Sequence, residues 1–422
     1  MEYRAVNSCI LFLASLDGKQ VLTVEDLRAS GGTLHPVQQA MVNGHGSQCG
    51  FCTPGIVMSL AGLSESGAVA DRAAIDNALS GNLCRCTGYD DIAVAVERMP
   101  ADKAGEGLAS AETRTRLEAI APRGVLSLGT GDRRFLAPTT LDELTRILAE
   151  NPDAQLLAGG TDLALRVTKQ LEDPATLVYL GNIAALRGAE VTDDAVMIGA
   201  ATPLTDAGAV LGDCFPDLRM LFRRFGSVQI RNAGTLGGNI ANASPVGDTL
   251  PALLVLNAEV TLRGGDGART LPLESFFRGY RETALTPGEF LERIRVPRPS
   301  GTELRVYKIA KRRDQDISTL CGAFALVLNG AKVAGIRVAF GGMAEIPRRA
   351  PACEAALLGN PWTEGTVEAA VTALEKDYSP ITDVRGSARY RSLCAGNLLR
   401  KFLVETTTGR PLTVFADPEH AS

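Results

Sequence analysis

Histidine is scarce in this chain: only His35, His45 and His420 occur among 422 residues, beside a single tryptophan. A catalytic triad or a histidine-rich metal centre has little to be built from, and no general base stands out. His45, four residues before Cys49, reads as a loop histidine. Neither sign of charge dominates, with 43 Lys and Arg against 48 Asp and Glu. No basic patch and no interleaving of aromatics with basic residues occurs, which speaks against a nucleic-acid partner. Long apolar runs are missing too. The stretch Cys9–Leu16 (CILFLASL) is too short to span a bilayer. Glu2 ahead of it, one flanking basic residue (Arg4) and no small-residue cleavage site argue against a signal peptide. The expectation is a cytoplasmic protein with no membrane partner. Neither a G-x-G-x-x-G fingerprint nor a Walker A loop is present, so a Rossmann reading is disfavoured, and no internal repeat is evident.

What is present is a cysteine arrangement. There are nine cysteines, an odd count, and five lie within the first 86 residues; Cys214, Cys321, Cys353 and Cys394 are scattered singly. This is unlike a secreted disulfide framework and reads as one site plus ordinary thiols. Cys49 and Cys52 stand in QCGFCTPG, Cys84 and Cys86 in GNLCRCTGYDD, with 31 residues between the pairs. Each pair adjoins a helix start, marked by Thr53–Pro54 after the first and Thr87–Asp91 around the second. Two helix N-termini would then favour the negative charge of four thiolates. Four thiolates suit zinc or an iron–sulfur cluster; the tight Cys84-Arg-Cys86 pair favours the cluster, and spacing alone leaves zinc open.

The length allows about three domains. Apolar residues at three- and four-residue spacing predict helices over Pro36–Asn43, Thr53–Ser64, Ala70–Leu79 and Asp90–Met99, with Gly44, Gly67 and Gly81 as stops. Residues 34–100 thus read as a small helical domain with the cysteine pairs in its loops, and 101–132 as a linker. From Phe135 a β-loop-α-β unit is expected: strand Gln155–Ala158, turn Gly159–Asp162, helix Leu163–Lys169, strand Thr176–Leu180. Further strands are expected at Met197–Ala201, Val260–Arg263 and Glu292–Val296, with a helix near Leu218–Phe225. A third region follows from about Leu304. It holds a hairpin, Thr319–Leu328 and Lys332–Phe340, about Asn329–Gly330. Helices are predicted over Ala350–Leu358, Thr366–Lys376 and Ser387–Glu405.

Two glycine-rich segments carry the second piece of chemistry. In LLAGGTDLAL (Leu156–Leu165), paired glycines after a strand let backbone approach a phosphate closely, with Thr161 and Asp162 at the next helix start. In FGSVQIRNAGTLGGNIANASPVGD (Phe225–Asp248), Thr235, Gly237, Gly238 and Asn239 offer small donors and open amides. Singly, each glycine pair fits a structural turn equally well, Asp248 fits an N-cap for Thr249–Leu256, and Phe225 fits a core aromatic. Two such loops beside a cluster-type cysteine site point to a redox cofactor.

These segments together resemble the molybdenum hydroxylase family, and within it the iron–sulfur- and FAD-carrying small subunit of the purine-oxidising members. LHPVQQAMVNGHGSQCGFCTPG (Leu34–Gly55) and GNLCRCTGY (Gly81–Tyr89) are similar to its helical [2Fe-2S] domain. The flavin segments resemble its FAD domain. YKIAKRRDQDIS (Tyr307–Ser318), FGGMAEIPRRA (Phe340–Ala350) and ITDVRGSARYR (Ile381–Arg391) resemble its C-terminal flavoprotein domain. The resemblance covers almost the whole chain and selects iron–sulfur over zinc. It implies a multidomain α+β protein: a helical [2Fe-2S] bundle over 34–100, an α+β FAD-binding domain over 133–300 and an α+β C-terminal flavoprotein domain over 301–415.

The resemblance assigns Cys49, Cys52, Cys84 and Cys86 to one [2Fe-2S] cluster and Gln48 to contact with a pterin of the partner. It assigns Leu156, Leu157, Ala158, Gly159, Gly160, Thr161, Asp162 and Leu163 to the FAD pyrophosphate, and Phe225 to the isoalloxazine. Thr235, Leu236, Gly237, Gly238, Asn239, Asp248, Leu291 and Lys308 complete the flavin pocket; Lys308 taken alone reads as a solvated strand charge. The departure is at the front. Family members carry a plant-type ferredoxin domain with a second [2Fe-2S] cluster, and here residues 1–33 hold only Cys9 as a counterpart of its fourth ligand. A leftover helix of that domain is the expectation for the run after Cys9, and one cluster the expectation for this chain. The implied activity is electron transfer without catalytic residues in this chain. Electrons from hypoxanthine or xanthine, hydroxylated at molybdopterin in a separate large subunit, would reach FAD and then NAD⁺, in a heterotetramer of two small and two large subunits. Equivalent subunits acting with aldehyde, nicotinate or carbon monoxide, and a docking remnant without full electron transfer, are the alternatives.

Overall fold

The computed structural model describes residues 2–28, 31–67, 71–99, 108 and 110–413. The chain forms two compact units: Met1–Arg187 with Ala201–Asp206 and Arg223–Leu236, and Gly188–Ala200 with Ala207–Phe222 and Gly237–Ser422.

The first unit begins with four helices, α1 (Pro36–Asn43), α2 (Thr53–Glu65), α3 (Arg72–Leu79) and α4 (Asp90–Glu97). Their apolar stripes meet in one core of Val37, Met41, Ile56, Leu60, Ile75, Leu79, Ile92 and Val96. The α3 pattern was expected from Ala70, which lies outside the described residues; the helix starts after Asp71, whose carboxylate accepts from the Ala74 amide at 2.8 Å. Helix α1 is opened by His35, buried, whose Nδ1 accepts from the Val37 amide at 3.2 Å. Burial holds the His35 pKa below its ordinary value, so the folded state prefers the neutral ring. A depressed histidine pKa gives stability that is present above the unfolded-state pKa, about 6.5, and lost as pH falls below it. The thermal midpoint of the wild type should therefore drop on acidification through pH ~6 more steeply than that of His35→Asn. His420 lies outside the described residues.

The run after Cys9 is not an α-helix: it forms two 3₁₀ turns, Ser8–Ile10 and Leu13–Leu16. Phe12 and Ala14 pack on a small core of Phe135, Ala137, Leu157 and Tyr179. The linker expectation also needs correction. Residues 101–107 and 109 lie outside the described residues, but Ala111–Ala119 is a helix capped by Ser110, and Leu126–Thr130 is a strand. That strand is almost wholly exposed, so no buried face imposes alternation on its sequence. It pairs antiparallel with Arg133–Ala137 around Gly131, whose φ of 56° suits glycine. Arg133–Ala137, Thr176–Tyr179 and Gln155–Leu157 continue the sheet in parallel, in that spatial order. The helix Leu163–Gln170 makes the crossover, so the expected β-loop-α-β unit is present. Thr140 and Glu143 form a capping box that opens a further helix, Leu141–Glu150.

In the second unit an antiparallel sheet runs in the order Ala189–Val191, Ala195–Gly199, Phe290–Pro297, Glu259–Gly264, Gly267–Pro272. The strand expected at Met197–Ala201 is thus shifted towards its N-terminus. A second antiparallel sheet orders Glu303–Ile309, Leu320–Asn329, Lys332–Gly341 and Arg348–Arg349. Its hairpin turns at Asn329–Gly330, with Gly330 at φ 60°. Helices Pro351–Leu357, Glu364–Asp377 and Ala388–Thr408 cover one face of it. Phe324 stacks on Phe402 and meets Phe340 edge-on, which anchors that core. Asp377, buried, accepts from the amides of Ala352 and Cys353 at 2.9 Å each and so caps the helix Pro351–Leu357 from a distance in sequence. Asp377→Ala should lower the unfolding free energy by about 2 kcal/mol, read from urea denaturation.

Candidate functional site

The four cysteines predicted as ligands stand together in the two loops between α1 and α2 and between α3 and α4. Cys52 is the N-cap of α2, and its carbonyl accepts from the Ile56 amide at 3.0 Å. Before α4, Tyr89 takes a left-handed backbone, φ 71°, with Gly88 at φ 66°. That turn brings the Tyr89 hydroxyl back to accept from the Cys84 amide at 2.7 Å and to donate to the Asn82 carbonyl at 3.1 Å. The thiols meet in pairs. Cys49 lies beside Cys86, and Cys52 beside Cys84, close enough for each thiol to shift its neighbour's ionisation.

Their ionisation is uneven. The Thr87 hydroxyl, 3.2 Å from the Cys84 sulfur, and the Thr87 amide lower the Cys84 pKa to about 7. The Phe51 amide, then the Cys86 thiol, lower that of Cys49. Burial and the neighbouring Cys84 raise Cys52 to about 11, and the contact with Cys49 raises Cys86. Among the described residues no group of three or more such side chains is set as a single-ion metal site. Four cysteine thiols brought together at two helix-start loops supply the donor number a [2Fe-2S] cluster takes, two thiolates to each iron. The donor set therefore fits a [2Fe-2S] cluster. Two apolar side chains beside it face outward: Phe51 is 94% and Leu83 78% exposed. Gln48 is exposed as well, and His45 is an exposed loop residue at φ 53°.

The first glycine segment lies in the same unit. Leu157 is buried at the end of its strand, while Leu156, Ala158, Gly159, Gly160, Thr161 and Leu163 are half-buried and Asp162 is exposed. Gly160 turns the chain at φ 73°, and its carbonyl accepts from the Ala164 amide at 2.8 Å, so the helix Leu163–Gln170 starts with only two residues between it and the glycine pair. A Cβ on Gly159 would lie 1.9 Å from the Ala233 carbonyl oxygen. Leu157–Gly160 line a cavity of about 1050 Å³ within this unit, with Phe12 and Tyr179 among its walls. Side-chain-free backbone and first-turn amides fit the phosphate-bearing part of a dinucleotide cofactor such as FAD. Gly159→Ala should abolish flavin retention on gel filtration and lower the thermal midpoint, because the methyl group meets backbone that cannot yield. Phe225 is half-buried, Thr235 and Leu236 are buried, and Thr235 bridges to Pro203.

The remaining predicted residues lie in the second unit. Gly237 packs on Ala200, Gly238 is exposed, and Asn239 Oδ1 accepts from the Thr249 hydroxyl at 2.6 Å. Asp248 precedes the helix Thr249–Val255 but makes no capping bond with its side chain. Its carboxylate instead accepts from Lys308 Nζ and from the Ser318 hydroxyl, both at 2.5 Å. Lys308 is no solvated charge: its side chain is 3% exposed and that of Asp248 6%. Leu291 is buried in the strand Phe290–Pro297. Ser318, which ends the segment Tyr307–Ser318, and Cys321, whose thiol donates to the Asp248 carbonyl at 3.6 Å, belong to this cluster, and neither was singled out as a site residue from the sequence.

An iron–sulfur cradle in a helical bundle, followed by flavin-type backbone loops, defines an electron-carrying iron–sulfur flavoprotein. Three family descriptions match along it: a [2Fe-2S] binding domain over residues 23–97, the FAD binding domain in molybdopterin dehydrogenase over 131–299, and the CO dehydrogenase flavoprotein C-terminal domain over 305–406. Xanthine dehydrogenase of Emericella nidulans is 33% identical, covering 95% of this chain and 34% of that protein. Nicotinate hydroxylase hnxS of the same organism is 29% identical, covering 92% of this chain and 37% of that protein. The chain spans about a third of the length of these curated relatives. Among solved structures, a chain of carbon monoxide dehydrogenase from Hydrogenophaga pseudoflava superposes with a TM-score of 0.61 at 32% identity, covering 65% of this chain and 96% of that one. The chain belongs to the molybdenum hydroxylase family and is an FAD/[2Fe-2S] subunit-type protein of it. It is an oxidoreductase component, and no helix among the described residues is long and apolar enough to cross a membrane.

Proposed function

We propose that this chain is the electron-transfer subunit of a xanthine dehydrogenase, taking electrons from hypoxanthine or xanthine oxidised in a partner and delivering them to NAD⁺. The observation that carries the reading is the joining of a four-thiolate cluster cradle and flavin loops on one polypeptide. The alignment with a xanthine dehydrogenase over 95% of the chain supports it. Cys49, Cys52, Cys84 and Cys86 would hold the [2Fe-2S] cluster. Leu156–Leu163 would take the FAD pyrophosphate, Phe225 the isoalloxazine, and Thr235–Asn239, Asp248, Leu291 and Lys308 the rest of the flavin. When bound, the cluster carries single electrons and the flavin couples them to two-electron hydride chemistry.

The protein's own part is positioning. Thr87 favours the thiolate at Cys84, the backbone at Gly159–Gly160 offers amides to a phosphate, and Asp248 holds the Lys308 ammonium in place. Exposed Phe51 and Leu83 beside the thiols supply an apolar rim for a molybdopterin-binding large subunit, with Gln48 reaching its pterin. A cytoplasmic heterotetramer of two small and two large subunits is the assembly proposed. The chain co-purified with its large subunit should show anaerobic bleaching of flavin absorbance on adding xanthine. Bleaching by nicotinate, an aldehyde or carbon monoxide, with none by xanthine, would reassign the enzyme. Tight partner binding with no flavin in the chain would support a docking remnant instead.

A further inference from the structure

The helix Val228–Ala233 carries two buried polar side chains that the cofactor assignments leave without a role. Gln229 and Arg231 are each 6% exposed. Gln229 Nε2 lies within hydrogen-bond reach of Ser59 Oγ (2.8 Å), the Ala78 carbonyl (3.0 Å) and Asn82 Oδ1 (3.3 Å). Ser59 also donates to Asn82 Oδ1 at 2.8 Å. One amide therefore ties together α2, the end of α3 and the loop that leads into Cys84. Arg231 adds a second tie: Nη2 donates to Asn77 Oδ1 at 2.8 Å, while Nη1 donates to the carbonyls of Arg223, Phe225 and Gly226.

From Asn82 the connection continues to the backbone amide of Cys84. The Asn82 carbonyl accepts from the Tyr89 hydroxyl, which accepts from the Cys84 amide. Three glycines let the helix sit this close at its two ends. A Cβ on Gly81 would lie 2.4 Å from Gln229 Oε1 and 2.7 Å from Ser227 Cβ. At the other end, a Cβ on Gly159 would meet the Ala233 carbonyl oxygen, and one on Gly234 would lie 3.1 Å from the Thr161 hydroxyl. Six helical residues span about 9 Å, so the helix is a short strut between the cysteine loop and the first glycine loop.

We propose that Gln229 is a positioning residue for the iron–sulfur centre, holding the Cys84–Cys86 loop through Asn82 and Tyr89 and in register with the Gly159–Gly160 loop. This rests on the reading of Cys84 as a cluster ligand. The physical basis is that hydrogen bonding around ligand sulfurs and the orientation of ligands tune a cluster's potential. Without the Gln229 amide, the Ala78 carbonyl and Asn82 Oδ1 lose a buried donor. Asn82 then shifts, and the Tyr89 hydroxyl no longer holds the Cys84 amide in place.

The test uses the full chain, purified anaerobically as wild type, Gln229→Leu, Tyr89→Phe and the double variant. Iron, acid-labile sulfide and FAD per chain are measured with the electron paramagnetic resonance spectrum and midpoint potential of the reduced cluster. Gln229→Leu is expected to keep its iron but to show altered g-anisotropy and a shifted potential. Tyr89→Phe is expected to shift both in the same direction, with the double variant moving no further than the larger single change, since the two act in one chain. A lowered thermal midpoint with unchanged spectrum and potential in Gln229→Leu would reduce the residue to a structural role and overturn the proposal. Should Gln229→Leu not fold, an unchanged potential in Tyr89→Phe overturns it equally. Absence of iron from the wild type would defeat the cluster reading itself, a separate outcome.

Discussion

Cys84→Ser should strip the iron–sulfur absorbance from this chain while its FAD stays bound. Of the four thiols in the cradle, Cys84 is the one that Thr87 contacts at 3.2 Å, which lowers its pKa to about 7 and favours the thiolate, the form that binds metal. A serine hydroxyl does not ionise in this range and leaves one iron with a single protein thiolate. Iron per chain should fall about tenfold or more, measured by colorimetric assay beside visible absorbance. The glycine loops lie outside the cysteine loops, so the flavin content should hold. Cys353→Ser is the control. That thiol is buried in the second unit with its pKa pushed well up by burial, and its loss should leave iron unchanged. Equal loss of iron in both variants would contradict the assignment.

Asp248→Ala should be the most damaging change in the second unit. The Lys308 ammonium, 3% exposed in its side chain, would lose the carboxylate 2.5 Å away. Removing one partner of a buried ion pair typically costs about 3–5 kcal/mol, and Lys308 here loses the carboxylate it lies against. Ser318 would lose its acceptor in the same step. Urea denaturation should show that loss, and the purified variant should carry no FAD. Adding Lys308→Met is expected to recover much of the stability, since two neutral groups can be buried together, but not the flavin. Recovery of flavin in the double variant would show that the pair serves folding alone.

The helical bundle was legible because local signals agree with the packing. Pro36 and Pro54 sit in the first turns of α1 and α2, Gly44 and Gly67 follow their ends, and the apolar stripes fall on one face. The exposed strand Leu126–Thr130 was not legible, since neither face is buried and nothing marks it as paired. The cysteine spacing pointed to a metal site but left zinc open, because sequence separation does not say which thiols meet. That Cys49 lies beside Cys86 and Cys52 beside Cys84 follows from tertiary packing. Lys308 and Asp248 are 60 residues apart, and from local pattern each had a plain reading, a surface charge and an N-cap, that burial overrides. Gln229 stands in a segment whose glycines drew attention, yet its acceptors lie in α2 and around the end of α3, about 150 residues away.

Both a [2Fe-2S] cluster and FAD are expected on this one chain. Iron, acid-labile sulfide, zinc and FAD per polypeptide, measured on the full chain purified under nitrogen with its molybdenum partner, test this most directly. About two irons, two sulfides and one FAD per chain, without zinc, are expected. Zinc in place of iron would contradict the account and leave a structural metal site on a docking subunit.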